Sequence, residues 1–241
     1  MRPRCGPGEC MMRRSLRWIV WWLCLPVAAL AQDAPPDTLV QRIAACASCH
    51  GTHGEGGNNA FNPRLAGKPA GYLLRQMQDF QKGLRHYEVM EYMVAPLDEA
   101  YLREIAGYFA SQEVPYTTHP TPRMPVTAAA RGEQLATRGD PAKGVPACMA
   151  CHGPELTGVQ PDIPGLVGLP YDYISAQLGS WRTNTRNTTA PDCMATVVSH
   201  LTDADISAVS AWLAARPVPP DAHAAPAGSV TPPLRCGVLG G

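Results

Sequence analysis

The chain has 241 residues, which is enough for one or two domains with hydrophobic cores. Its 20 basic and 20 acidic residues give a formal net charge of zero, and no basic patch indicates binding to nucleic acid. Nucleic-acid-binding classes are therefore excluded, and the motifs along the chain decide among the remaining ones.

Residues 1–31 have the order of an export signal. Arg13, Arg14 and Arg17 precede the apolar run WIVWWLCLPVAAL, which leads into Ala29-Leu30-Ala31. The run is too short to span a bilayer stably, so we expect a cleaved signal and a periplasmic protein; a retained membrane anchor is the alternative. Removing five Arg and one Glu leaves 15 basic and 19 acidic residues, a formal charge of −4.

The first predicted helix, TLVQRIAAC, has Asp37 as its predicted N-cap and leads into CASCHG at Cys46–Gly51. A second stretch, CMACHG at Cys148–Gly153, repeats the pattern C-x-x-C-H, which is the attachment signal for c-type haem. Two thiols on one helical turn each bond a vinyl group of the porphyrin, and the adjacent imidazole binds the iron. The sequence therefore predicts two covalently bound haem c groups, held by Cys46, Cys49, His50, Cys148, Cys151 and His152.

Two other interpretations of these cysteines are weaker. A thioredoxin-like redox pair requires a βαβ context, which the chain lacks. A zinc site would join both cysteine pairs in one tetrahedron, and it would leave both motif histidines without a role.

The sequences that follow the two motifs match each other block by block. NPRLAG at residue 62 matches IPGLVG at 163, YLLRQMQDF at 72 matches YISAQLGSW at 173, and LDEAYLREIAGYF at 97 matches LTDADISAVSAWL at 201. The last two pairs predict a middle and a final helix in each copy, and Thr127 is the predicted N-cap of the second copy's first helix. The repeat, with a period of about 102 residues, indicates two domains of one fold.

The predicted fold class is all-α, because no stretch alternates like a strand for long. Each copy is too small to bury a large core of its own, so we expect it to wrap around its haem. The predicted domains are residues 32–113 and 127–216, joined by a Pro-rich linker at 114–126, and the Pro/Ala-rich tail at 217–241 is predicted to be disordered.

A haem iron held by one histidine has a sixth ligand or an open site, and methionine or a second histidine is the usual ligand. Met194 lies seven residues before Leu201, the start of the second final helix. Seven residues before the matching Leu97 lies Met90, whereas Met93 has no methionine counterpart. The repeat therefore predicts Met90 and Met194 as ligands and Met93 as a packing residue.

Several nearby residues have more than one interpretation. His86 and His200 are rival ligands, but they do not occupy equivalent positions. A carbonyl in the P-x-L-x-G turns that follow each motif either accepts the motif histidine's second N–H or belongs to a plain turn. Arg85 and Arg186 either neutralise haem propionates or are exposed surface arginines.

These motifs together resemble the dihaem cytochromes c4. The match covers about residues 37–215 and includes the stretch RGEQLATRGDPAKGVPACMACHG. The resemblance implies two class I cytochrome c domains related by a pseudo-twofold axis, in a soluble or membrane-associated periplasmic protein. It also implies His/Met ligation of both haems, by His50, Met90, His152 and Met194, and transfer of electrons to respiratory partners.

Cys193 and Cys236 lie outside both motifs. A disulfide between them is compatible with an oxidising compartment but is not fixed by their spacing. Alternatively, the Cys193 thiolate competes with Met194 for the second iron, which would lower the potential of that haem.

Three functions agree with these features. The first is an electron shuttle between a quinol-oxidising cytochrome bc-type complex or another donor and a terminal oxidase, with peripheral membrane association as an option. The second is the cytochrome subunit of a periplasmic dehydrogenase. The third is a dihaem enzyme, such as a peroxidase or sulfur-compound dehydrogenase, which requires a labile axial ligand. A sixth ligand on each iron favours the first two, and no catalytic residue is predicted.

Overall fold

A computed structural model describes residues 37–239, so the predicted export signal at 1–31 lies outside the described residues. The regular secondary structure of the described part is α-helical, apart from two short strands and two 3-10 turns, and loops connect these elements. The helices are α1 Leu39–His50, α2 Ala70–Gln81, α3 Glu88–Val94, α4 Glu99–Ala110, α5 Val126–Thr137, α6 Met149–His152, α7 Tyr171–Arg182, α8 Cys193–Ser199 and α9 Asp203–Ala215. The 3-10 turns are Pro141–Lys143 and Gly237–Leu239, and the strands β1 Gly158–Val159 and β2 Ile163–Pro164 pair antiparallel. The all-α fold class is confirmed.

The first copy is built on the packing of α2 against α4, with α1 against α4 and α3 against α2. α1 begins with a capping box, in which Thr38 and Gln41 bond each other's backbone N–H groups. The core beneath α1 consists of the buried side chains Ile43, Leu73, Ile105, Ala106 and Phe109. This packing fixes the C-terminal end of α1, where the first C-x-x-C-H motif lies.

The second copy repeats this plan with a larger core. α9 packs along α5 and also against α7. The close approach of α5 and α9 requires Gly132, since a Cβ at this position would lie 2.3 Å from the Ala208 carbonyl oxygen. The core includes Leu135, Leu156, Val198 and Leu213.

Both predicted N-caps were wrong by one or two residues. Asp37 is held by Arg42, whose Nε and Nη2 donate to its carboxylate over 2.7 and 2.6 Å, so Thr38 caps α1 instead. In the second copy Pro125 precedes the first helical residue, so Thr127 lies inside α5. The middle helices likewise begin two residues earlier than the predicted starts at residues 72 and 173.

The linker lies against both copies. Arg64 donates to the carbonyl oxygens of Val114 and Pro115 over 2.6 and 3.0 Å, and its guanidinium lies 3.9 Å from the Tyr116 ring. Tyr116 also covers Gly168, where a Cβ would lie 2.2 Å from its ring. No helix within residues 37–239 is long and apolar enough to cross a membrane.

The tail at 217–241 was predicted to be disordered, but the structure gives residues 217–239 defined contacts. Ala225 forms a bridge with Val159, and its N–H donates to the Gly158 carbonyl over 2.9 Å. Further on, Cys236 forms a disulfide with Cys193, with the Cα atoms 5.3 Å apart. Composition underestimates order here because a disulfide and backbone hydrogen bonds hold a segment that is poor in large apolar residues.

Candidate haem sites

In the second copy, α6 and α8 place the predicted residues around one largely apolar cavity. Cys148, Cys151 and His152 line it from the motif, and Met194 lines it from α8. The remaining wall is mainly core side chains, including Leu135, Leu166, Ile174, Leu178, Trp181, Val209 and Leu213. The structure therefore brings all four predicted residues of the second site together.

The residues at this cavity fit a covalently bound haem. Both motif thiols are free of disulfides, and burial raises the pKa of the Cys148 thiol to about 12. The His152 Nδ1 lies 2.8 Å from the Pro164 carbonyl oxygen, which makes Nδ1–H the donor and leaves Nε2 free for iron. Burial also lowers the pKa of His152, which favours the neutral imidazole that binds a metal.

The first site repeats the histidine geometry. His50 is buried at the end of α1, and its Nδ1 lies 2.9 Å from the Pro63 carbonyl oxygen. Burial lowers its pKa as at His152. In both copies, then, a carbonyl of the P-x-L-x-G turn is the acceptor, and the plain-turn alternative is wrong.

Two glycines that sequence reasoning missed bring these turns to the histidines. Gly56 has φ +80°, and a Cβ there would lie 2.4 Å from the Arg64 backbone N. Gly158 has φ +97°, and a Cβ there would lie 2.6 Å from the Gly165 backbone N. The signal was available, because each glycine lies six residues after a motif histidine.

Met90 lies on α3 against the buried side chains Phe80, Val94 and Leu102. Cys46 packs on the neighbouring cluster beneath α1, and Leu74, Met77 and Leu97 contact both clusters. These three side chains thus connect the motif to the Met90 region. Cys49, the other motif thiol, is exposed and free of disulfides. Met93, on the same helix, is part-buried and is not a member of either cluster.

The rival ligands are placed differently from the methionines. The His86 side chain is 52% exposed and lies 3.3 Å from Glu91. His200 is exposed at the C-terminal end of α8. Cys193 is in a disulfide, so the hypothesis that its thiolate competes for the second iron is wrong.

Arg85 and Arg186 meet where the two copies join. Gln76 Oε1 accepts from Arg85 over 2.9 Å and from Arg186 over 2.8 Å. Gln177 Oε1 accepts from the same two guanidiniums over 2.7 and 2.6 Å. Each arginine also lies over an aromatic ring of its own middle helix, Phe80 at 4.6 Å and Trp181 at 3.9 Å. The arrangement has the approximate twofold symmetry expected of a duplicated unit.

The surface interpretation of Arg186 is wrong, because its side chain is only 6% exposed and it lines the second cavity. Burial and the neighbouring Arg85 lower the pKa of Arg186. In the described part of the chain neither guanidinium has a carboxylate partner, and their acceptors are neutral amide and hydroxyl oxygens. Two adjacent cations whose hydrogen-bond acceptors are all neutral suit an acidic group of a bound cofactor.

Comparison with known proteins agrees with this geometry. The cytochrome c family model matches residues 38–113 and 129–216. The chain is 42% identical over 187 residues to the thiosulfate dehydrogenase electron acceptor of Thiomonas intermedia, covering 78% of this chain and 83% of that protein. It is 34% identical over 194 residues to cytochrome c4 of Pseudomonas aeruginosa, covering 79% and 94%.

The solved structure of reduced cytochrome c4 from Pseudomonas stutzeri superposes with a TM-score of 0.61 at 32% identity, covering 72% of this chain and 94% of that one. The predicted tandem fold and the two covalently bound haem c groups are thereby confirmed. The chain belongs to the cytochrome c family and is a dihaem cytochrome related to cytochrome c4.

Proposed function

We propose that this chain is a periplasmic electron carrier that accepts electrons from a thiosulfate dehydrogenase and delivers them to a respiratory partner. The observation that carries the proposal is the 42% identity to a thiosulfate dehydrogenase electron acceptor over 78% of the chain. A second electron acceptor of this name, from Stutzerimonas stutzeri, is 34% identical over 170 residues. The export signal predicted at residues 1–31 supports the periplasmic location.

The side chains support a carrier rather than an enzyme. We assign His50 and Met90 to the first iron and His152 and Met194 to the second, so that neither iron keeps a free position for substrate. When bound, the haem supplies one-electron redox chemistry, and the chain orients it and adjusts its potential. The carbonyls of Pro63 and Pro164 hold both imidazoles in the tautomer that presents Nε2.

We also assign the arginine pair to the haem propionates. Arg186 lines the second cavity, and its guanidinium shares the Gln76 and Gln177 oxygens with that of Arg85, so an anionic propionate would offset their mutual repulsion. The pair lies where the two copies meet, which suits electron transfer between the haems.

A respiratory shuttle that is independent of thiosulfate is the second candidate. The 34% identity to a cytochrome c4 over 79% of the chain favours it. Its partners would be a terminal oxidase and a quinol-oxidising cytochrome bc-type complex, with docking at the membrane surface.

Reduction kinetics separate these functions. The oxidised holoprotein is mixed with thiosulfate and a purified thiosulfate dehydrogenase, and reduction of both haems is followed by absorbance. We expect rapid reduction only when enzyme and thiosulfate are both present. Reduction by a quinol-oxidising complex alone would indicate the respiratory shuttle, and reduction by thiosulfate without added enzyme would indicate that the chain is itself the dehydrogenase.

A further inference from the structure

Residues 217–239, here called the C-terminal strap, return to the methionine side of the second site. The strap residues that line the cavity are Leu234, Cys236, Val238 and Leu239. His152 and Met194 line the same cavity. The strap therefore supplies part of the wall around the proposed iron ligands.

The strap is fixed to the rest of the second copy at two places. At Ala225, the strap accepts from the Gln160 N–H and donates to the Gly158 carbonyl, each over 2.9 Å, and these two partners lie eight and six residues after His152. Near its end, Cys236 is bonded to Cys193, the residue directly before Met194.

The packing at the second anchor leaves little room for movement. The Gly237 N–H donates to the Pro191 carbonyl over 2.9 Å. A Cβ at Gly237 would lie 2.2 Å from the Ala190 carbonyl oxygen, so only glycine fits. A covalent bond and a close backbone contact therefore hold the loop that precedes α8. They also hold the first turn of α8, which contains Met194.

The duplication provides an internal comparison. The repeat aligns Cys193 with Val89, and Val89 is 52% exposed. The chain that follows the first copy's last helix runs into the linker, where Tyr116 lies against Gly168 of the second copy. The segment after the final helix therefore covers the methionine side of the second site. The equivalent segment of the first copy is the linker, which runs to the second copy instead.

We propose that the C-terminal strap positions Met194 and closes the sulfur side of the second haem to water and small ligands, making the two haems unequal. The inference rests on Met194 as the second ligand, but not on the identity of the electron donor. An apolar cover disfavours the more highly charged ferric iron and so raises the haem's potential. A held methionine also resists displacement by an added ligand.

The test detaches the strap by removing its disulfide and measures the affinity of the second haem for imidazole. In a Met90→Ala background the remaining sulfur-to-iron absorption band comes from the second haem, and its loss on titration with imidazole reports displacement of Met194. Adding Cys193→Ser and Cys236→Ser should increase the affinity for imidazole by about 10-fold or more, the range seen when outer contacts of a metal site are lost. Val89→Ser, at the equivalent position of the first copy, is the matched control and should leave this affinity unchanged.

The potentials give a second readout. With both native methionines present, Cys193→Ser/Cys236→Ser should move one of the two reduction potentials to a more negative value and leave the other in place. Unchanged potentials and unchanged imidazole affinity, in a variant whose strap has become sensitive to protease, would overturn the proposal.

A variant that keeps the disulfide controls for misfolding caused by its loss. Leu234→Ala/Leu239→Ala removes two apolar contacts of the strap and should shift affinity and potential in the same directions by a smaller amount. No shift in this variant, with two haems still bound, counts against closure by the strap. If Met194→Ala leaves the band of the Met90→Ala background intact, the ligand assignment and this inference both fail, while reduction by the dehydrogenase still tests the proposed function.

Discussion

Met90 and Met93 lie one turn apart on α3, and only Met90 is assigned to an iron. Met90 packs on the cluster of Phe80, Val94 and Leu102, and the side chains of Leu74, Met77 and Leu97 connect this cluster to the one on which Cys46 packs. We expect Met90→Ala to remove about half of the far-red absorption band of the oxidised protein, because one of two irons loses its sulfur ligand. Met93→Ala is the control and should leave the band unchanged; the reverse pattern would refute the assignment.

At the histidines, the sequence offered the carbonyl acceptor as one of two interpretations and missed the glycines that bring it close. The P-x-L-x-G turns repeat at fixed offsets, so a shared role for their carbonyls followed from the duplication. Gly56 and Gly158 repeat equally well, but their need for positive φ depends on how closely two loops approach, and that distance exists only in the folded chain. The Cys193–Cys236 bond was likewise one option among several until the fold placed the two residues together.

Among the helices, periodicity predicted the existence of the main elements better than their ends. Asp37 and Thr38 are both good N-caps by residue type, and the choice between them depends on Arg42, which engages Asp37. Similarly, Pro69 and Pro170 precede the middle helices and fix their starts, although the matching tyrosines are the more visible sequence signal.

At the start of α9, several polar groups form hydrogen bonds to the buried carboxylate of Asp205. Asp205 completes a capping box with Thr202, and Arg131 Nε donates to it over 2.7 Å. Burial alone would raise the pKa of Asp205, but the hydrogen bonds from Arg131 and Thr202 outweigh burial and hold the pKa well below its usual range. The ionised form is therefore more stable in the folded state than in the unfolded one.

A group with a lowered folded-state pKa stabilises the fold above its unfolded pKa, and this contribution is lost as the pH falls toward the folded value. We expect Asp205→Asn to lower the free energy of unfolding at pH 7 by about 1–3 kcal/mol, since Arg131 loses a charged acceptor. The deficit relative to the native protein should shrink below about pH 4, where the unfolded carboxyl is protonated. Denaturant titrations at pH 7 and below about pH 4 measure this deficit, and Asp203→Asn, at an exposed position of the same helix, is the control. A deficit that does not change with pH would contradict the assignment of a lowered pKa to Asp205.

On the scale of the whole molecule, the duplication made the tandem fold predictable, but not the way the copies meet. The Y-x-x-x-Q helices were recognised as a repeat, yet the sequence did not show that Gln76 and Gln177 each bond arginines of both copies. Such contacts depend on the arrangement of two domains, which no local pattern encodes. The linker adds to this contact surface through Tyr116, which bridges Arg64 of the first copy and Gly168 of the second.

The shared glutamines predict that the two copies unfold together. Gln76→Leu removes the oxygen that accepts from Arg85 and Arg186, and a buried donor left without its acceptor costs about 1–3 kcal/mol. The substitution weakens the contact between the copies and leaves the hydrophobic core of each copy in place. The Gln177 oxygen and the Arg75–Asp162 ion pair still join the copies, so we expect calorimetry of the holoprotein to show one transition that is broader and lies at a lower temperature. Gln134→Leu is the matched control, because its side-chain amide makes only a 3.5 Å contact with Gly139 inside the second copy, and it should leave the width and the temperature of the transition unchanged. A single transition in Gln76→Leu at an unchanged temperature would show that the arginine–glutamine contacts do not join the copies energetically.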